Sequence, residues 1–113
     1  MKIINKTANG KIFKCKHCEA IHVEYKNFNF NLTERQLVHF TKYLSELDGP
    51  KWEERNRQSP YARKIIIPTQ DSSINMLLNN DELIELIALL KNKKVKRKPS
   101  NVTYRLLVVT NLN

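Results

Sequence analysis

At 113 residues, 41% hydrophobic and 27% charged, the chain has the composition of one small globular domain, which excludes a fibrous, a disordered or a multidomain protein. Its formal charge of +9 is unevenly spread: residues 1–18 carry +5, residues 19–90 carry −3 and residues 91–113 carry +7. Basic ends around a mildly acidic middle suit arms that tether the domain to an anionic partner, and equally suit solvated tails.

The N-terminal stretch from Met1 to Lys6 lacks the apolar run of a signal peptide. The longest apolar window, Leu83 to Leu90, is interrupted by Glu85 and is far too short to span a bilayer. These features lead us to expect a cytoplasmic protein with no membrane association. Two cysteines there are expected reduced or metal-bound rather than joined as a structural disulfide.

In chain order, a short strand is predicted at Lys11 to Lys14. The cysteines and two of the three histidines then crowd into Cys15-Lys-His-Cys18-Glu-Ala-Ile-His22. Ile21 to Tyr25 alternates apolar and polar residues as a half-buried strand does, and Lys26-Asn27 makes a tight turn, with Asn27 tolerating positive φ. A second period-two strand from Phe28 to Leu32 leads to Thr33 and Gln36, which have the spacing of a capping box. Leu37, Phe40, Tyr43, Leu44 and Leu47 follow at helical spacing. The connection from Asp48 to Arg63 is punctuated by Gly49, Pro50 and Pro60, and reads as a long loop of the kind that carries function or hidden structure.

The same grammar then recurs about 46 residues on. Arg63 to Ile67 reads as a strand stopped by Pro68, and Ile74 to Leu78 as its partner. Asn79 and Glu82 form a second capping box before Leu83, Leu86, Ile87, Leu89 and Leu90. The predicted fold is therefore α+β: a ββα pseudo-repeat in which a small antiparallel sheet is backed by two helices, with a zinc knuckle near its N-terminus. Residues 1–90 form the domain. Residues 91–113 hold a basic linker and a strand at Val102 to Thr110, which pairs either in its own sheet or at the edge of a partner's.

Zinc takes four tetrahedral nitrogen or sulfur ligands, and a Cys-x2-Cys turn between strands supplies two thiolates. Cys15 and Cys18 occupy such a turn. His22 is the best third ligand, because it faces away from the side of the strand shared by Ile21, Val23 and Tyr25. His39, about 100° from the centre of its helix's apolar stripe, is the candidate fourth, with His17, water or a carboxylate as alternatives. A redox pair would need Cys-x-x-Cys at a helix N-terminus, where the dipole lowers the thiol pKa, and here a strand pattern follows instead. Two cysteines of no special role are the remaining reading.

No phosphate-binding glycine loop or nucleophile motif is present, and only Glu19 and Glu24 lie near the cluster in sequence, so no enzymatic activity and no small-molecule substrate are expected. A zinc-binding module that associates with RNA or a ribonucleoprotein fits best. Lys91, Lys93, Lys94, Lys96, Arg97 and Lys98 would contact phosphates, while Trp52 and Tyr61, interleaved with Arg55, Arg57 and Arg63, would stack on unpaired bases. The alternative for Trp52 is to anchor the long connection to the core. The alternative for the whole chain is a protein–protein adaptor in a larger complex that docks through its final strand.

The run Cys15-Lys-His-Cys18-x3-His22, together with Asn27-Phe28-x-Phe30-x-Leu32-Thr33, Lys64-Ile-Ile-Ile-Pro68-Thr69 and Asp81-Glu82-Leu83-x-Glu85-Leu86, resembles a family of short uncharacterised bacterial proteins. They are of the kind found among the Bacteroidota and are classed as a domain of unknown function. The resemblance covers Lys11 to Leu90, and implies a cytoplasmic protein with a Cys-x2-Cys knuckle and no assigned reaction.

Overall fold

The structure, a computed structural model, describes residues 1–92. The basic segment beyond Asn92 and the strand predicted at 102–110 lie outside the described residues. Six strands and three helices follow one another as β1 (Lys2–Thr7), β2 (Gly10–Lys14), β3 (Ile21–Tyr25), β4 (Phe28–Leu32), α1 (Glu34–Ser45), α2 (Gly49–Arg55), β5 (Ile65–Pro68), β6 (Asn75–Leu78) and α3 (Asn80–Leu90). β1 to β4 form a four-stranded antiparallel meander in chain order, and β5 and β6 form a separate two-stranded sheet. The α+β class and the two ββα units are as expected, but the single sheet resolves into two.

Both capping boxes form. The Thr33 hydroxyl accepts from the Gln36 N–H at 3.1 Å, and the Gln36 side chain accepts from the Thr33 N–H at 2.9 Å. Asn79 and Glu82 exchange the same pair at 2.8 Å each. Each box satisfies two N–H groups that a helix start otherwise leaves without partners. At the far end of α3, Asn92 takes the left-handed conformation (φ 57°) that stops a helix. The Asn5 amide donates to the carbonyls of Ala88 and Leu89, so β1 caps the last turn of α3.

α3 is the centre of the molecule. Apart from Asn80, Asp81 and Glu85, all its residues are buried, and it packs against β1, β2, β6, α1 and α2. The inward rows of the two sheets, Ile12, Ile21, Val23 and Tyr25 on one side and Ile65, Ile67, Met76 and Leu78 on the other, complete the core. Each such side chain contributes about 1.5–3 kcal/mol by leaving water. α1 is more peripheral, with Leu44 fully buried and Leu37 and Phe40 partly so.

The connection after α1 contains a helix, α2, where the punctuation suggested a loop. Asp48 caps it by accepting from the Lys51 N–H at 3.1 Å, and Pro50 sits in the first turn, where no N–H is needed. α2 is fastened through its second half: Glu53 accepts from the Asn80 N–H at 3.0 Å, and the Asn56 amide donates to the Lys64 carbonyl at 2.9 Å. Trp52 is half-buried and packs on the core, as in the anchoring alternative, with the Arg55 guanidinium 5.1 Å from its ring centre. Arg57 pairs with Glu54 at 3.2 Å.

One buried charge organises the joint between the two units. Glu82, 5% exposed, accepts from Lys26 Nζ at 2.6 Å and Arg63 Nε at 2.7 Å besides closing its capping box. Burial alone would push its carboxyl up. The hydrogen bonds from Arg63, Lys26 and the Asn79 N–H overcome that and bring it down to about 2. Lys26 reaches Glu82 from the β3–β4 turn, where Lys26 itself, rather than Asn27, adopts positive φ (51°). One turn further along α3, Glu85 accepts from the Tyr25 hydroxyl and from the N–H and amide of Asn9, each at 2.9 Å. These carboxylates pin α3 to two turns of the four-stranded sheet. No helix among the described residues is long and apolar enough to cross a membrane.

Candidate metal centre

β2 and β3 pair with Lys14 opposite Ile21, so residues 15–20 form the turn that closes this hairpin. Cys15 leaves the end of β2, Cys18 lies in the turn, and His22 is the second residue of β3. The turn therefore folds its own donors together. Their ligand atoms all lie within 4.8 Å of one another, and all three residues are partly buried.

Cys15 and Cys18 are joined as a disulfide, with Cα atoms 5.6 Å apart, against the expectation of unpaired or metal-bound thiols. The physical reason is the two-residue spacer: it points both sulfurs to one side of the turn, within bonding reach, and that convergence is also what a chelate requires.

His22 is oriented by a chain of amides on β4. The tight β3–β4 turn sets Asn31 directly opposite His22, and Asn31 Oδ1 lies 2.7 Å from His22 Nδ1. Asn29 Nδ2 donates to the Val23 carbonyl at 3.3 Å, which leaves Asn29 Oδ1 to accept from Asn31 Nδ2 at 3.2 Å. Asn31 therefore turns its oxygen, an acceptor only, toward the imidazole. Nδ1 must carry the proton, and in the neutral ring Nε2 carries the lone pair. That lone pair points at Cys18 Sγ, 3.1 Å away. A disulfide sulfur has no proton to donate to it, whereas after reduction a Cys18 thiolate and this nitrogen would share a cation. In a tetrahedral zinc site, bonds of 2.0–2.1 Å to nitrogen and 2.3 Å to sulfur set the N···S edge at roughly 3.5 Å. The present edge is a few tenths shorter. The three donors lie close enough to hold a metal ion once the disulfide is reduced, with Asn31 in the place where a ligating histidine's second nitrogen is normally held.

His39 and His17 are not members of this group. His39 is exposed on α1 and lines a cleft of about 570 Å³ with Asn31, Gln36, Phe40 and Asp71. The described residues thus bring together Cys15, Cys18 and His22 of the four predicted ligands. Asn31 was missed by motif reading, although a two-residue turn at Lys26-Asn27 fixes the pairing of 22 with 31 by counting alone.

Of the residues expected to touch nucleic acid, Lys91 is exposed at the end of α3, and Arg55 and Arg57 are exposed on and just after α2. Lys93, Lys94, Lys96, Arg97 and Lys98 lie outside the described residues.

No curated protein and no solved structure matches the chain. A family model does match, over residues 1–111, well past the Lys11 to Leu90 stretch that carries the resemblance, and it includes the basic segment. The chain therefore belongs to a family of unknown function, DUF6686.

Proposed function

We propose that the protein is a non-catalytic zinc-binding module that associates with RNA or a ribonucleoprotein. In its reduced form Cys15 and Cys18 supply two thiolates and His22 supplies Nε2. The observation that carries the reading is the Asn31 bond to His22 Nδ1, which in the neutral ring leaves the lone pair of Nε2 directed toward Cys18 Sγ. A fourth position is left for water or for a group beyond these three. The ion would brace the β2–β3 turn, so binding and folding would be coupled.

Glu82 and Glu85 are committed to Lys26, Arg63, Tyr25 and Asn9, and hold elements of the fold together. The nucleic-acid part of the reading is supported by the +5 charge on residues 1–18, the segment that contains both cysteines.

The test is metal analysis with thermal melting, on protein purified under a thiol reductant. Wild type is expected to carry one equivalent of zinc and to melt lower after chelation. Cys15→Ser should lose the zinc and melt as the chelated wild type does. A Cys15→Ser variant that binds as much zinc and melts no earlier overturns the metal assignment.

A further inference from the structure

The outer face of the four-stranded sheet is built unlike a merely solvated one. Ile3, Phe13, His22 and Asn31 sit opposite one another across the four strands and form one outward row. Their inward neighbours Ile12, Ile21 and Val23 are buried in the core. Within the row the Phe13 and His22 rings stack with centroids 5.1 Å apart and planes 27° from parallel. The next row pairs Lys6 directly with Lys11, and Lys11 with Glu24. Lys11 Nζ lies 5.4 Å from the Phe13 ring centre and 3.9 Å from the Glu24 carboxylate.

Two of these features oppose stability. Like charges directly opposite on neighbouring strands are destabilising, and Lys6 against Lys11 is such a pair. An exposed Ile3 beside a partly exposed Phe13 leaves apolar surface in water. A ligand with anionic groups and flat apolar rings would relieve both at once. Single-stranded nucleic acid has that chemistry: phosphates for the lysines and unpaired bases for the rings.

We propose that this face is a platform for single-stranded nucleic acid, with bases stacking on the Phe13–His22 pair and phosphates on Lys6 and Lys11. The inference deepens the nucleic-acid reading above and moves its centre from the C-terminal lysines and Trp52 to the sheet. It also couples the two halves of that reading, because His22 is shared: its edge faces the sulfurs while its ring supports Phe13.

The experiment uses the full zinc-loaded chain and fluorescence anisotropy with labelled dodecamers of U and of dT, and with a duplex of the same length. Zinc content is measured on every sample. Both single strands should bind, and the duplex should bind less. Phe13→Leu keeps an apolar side chain but no ring. It should weaken single-strand binding about tenfold at unchanged zinc content and unchanged far-UV circular dichroism. Lys6→Gln with Lys11→Gln should flatten the slope of log K against log[salt] by about 1.4, or about 0.7 per lost phosphate contact. The platform is refuted if neither strand binds, or if both variants bind as wild type does. It is also refuted if Lys93, Lys94 and Lys96 changed to Gln abolish binding that Phe13→Leu leaves intact. Zinc present without oligonucleotide binding refutes the platform and the nucleic-acid reading and leaves the metal assignment standing, whereas Phe13-dependent binding in reduced protein that takes up no added zinc refutes the metal assignment and leaves the platform standing.

Discussion

Glu82→Gln is the change that most directly probes what joins the two ββα units. In the wild type the Glu82 carboxylate takes two charged donors, Lys26 and Arg63, and returns to the Asn79 N–H, all within 2.8 Å. Glutamine keeps the shape and one accepting oxygen but removes the charge. A fall in pKa from the ordinary 4.5 to about 2 corresponds to about 3 kcal/mol of preference for the ionised form in the folded state. Removing one partner of a buried pair costs about 3–5 kcal/mol, and the lower end applies because Lys26 and Arg63 are partly exposed and can rehydrate. At neutral pH the variant should therefore be less stable by about 3 kcal/mol, or about 2 M in the urea midpoint for a chain of this size. Because the folded pKa is depressed, this stabilisation is complete above about pH 4.5 and is lost as the pH falls toward 2. Urea denaturation of wild type and variant at pH 7, 4 and 2.5 should show a gap that closes on acidification. A variant as stable as wild type at pH 7, or a gap that persists undiminished at pH 2.5, would refute the assignment of this stability to the Glu82 charge.

Three further outcomes are expected. A Cβ at Gly10 would lie 2.6 Å from the Glu24 carbonyl oxygen and 3.0 Å from both Leu89 and Tyr25, so Gly10→Ala should cost about 1–3 kcal/mol in urea denaturation. Asn79→Ala should destabilise by about 1–2 kcal/mol and Thr33→Ala by about 0.5–1, since α3 is central and α1 peripheral; equal effects in thermal melts would contradict that ranking. Asn31→Ala should lower zinc affinity about 10- to 100-fold in chelator competition while leaving the melting temperature of zinc-free protein within a few degrees of wild type.

Local rules carried the reading of the sequence wherever the physics was local. Both capping boxes span only four residues, and they formed as the spacing required. The alternation of Ile21 to Tyr25 placed the core face of β3 correctly, and the apolar stripe of α3 is buried throughout. β1 was missed because Lys2 to Thr7 is largely exposed and its register shifts between Ile3 and Asn5, which blurs a period of two. α2 was hidden by Gly49 and Pro50, which interrupt a helix interior but are compatible with a first turn capped by Asp48. Whether two hairpins share a sheet depends on edge-to-edge pairing between distant segments, which no periodicity records. Glu82 shows both regimes in one side chain. Its capping role is written three residues away, whereas Arg63 and Lys26 reach it from 19 and 56 residues distant.

The Cys15, Cys18, His22 cluster was legible because the turn that gathers it is short. Asn31 required the strand register as well. For His39 the helical wheel gives a direction around α1 but not the distance from α1 to the knuckle, and its side chain lines the cleft beside β4.

Cobalt(II) titration of the reduced protein reads the metal centre most directly, because thiolate-to-cobalt charge transfer reports sulfur ligation and strong visible bands report tetrahedral geometry. One equivalent of cobalt should develop both signals, Cys18→Ser should weaken the charge-transfer band, and His22→Ala should alter the visible bands. Reduced wild-type protein that develops neither signal with one equivalent of cobalt would contradict a metal centre built from Cys15, Cys18 and His22.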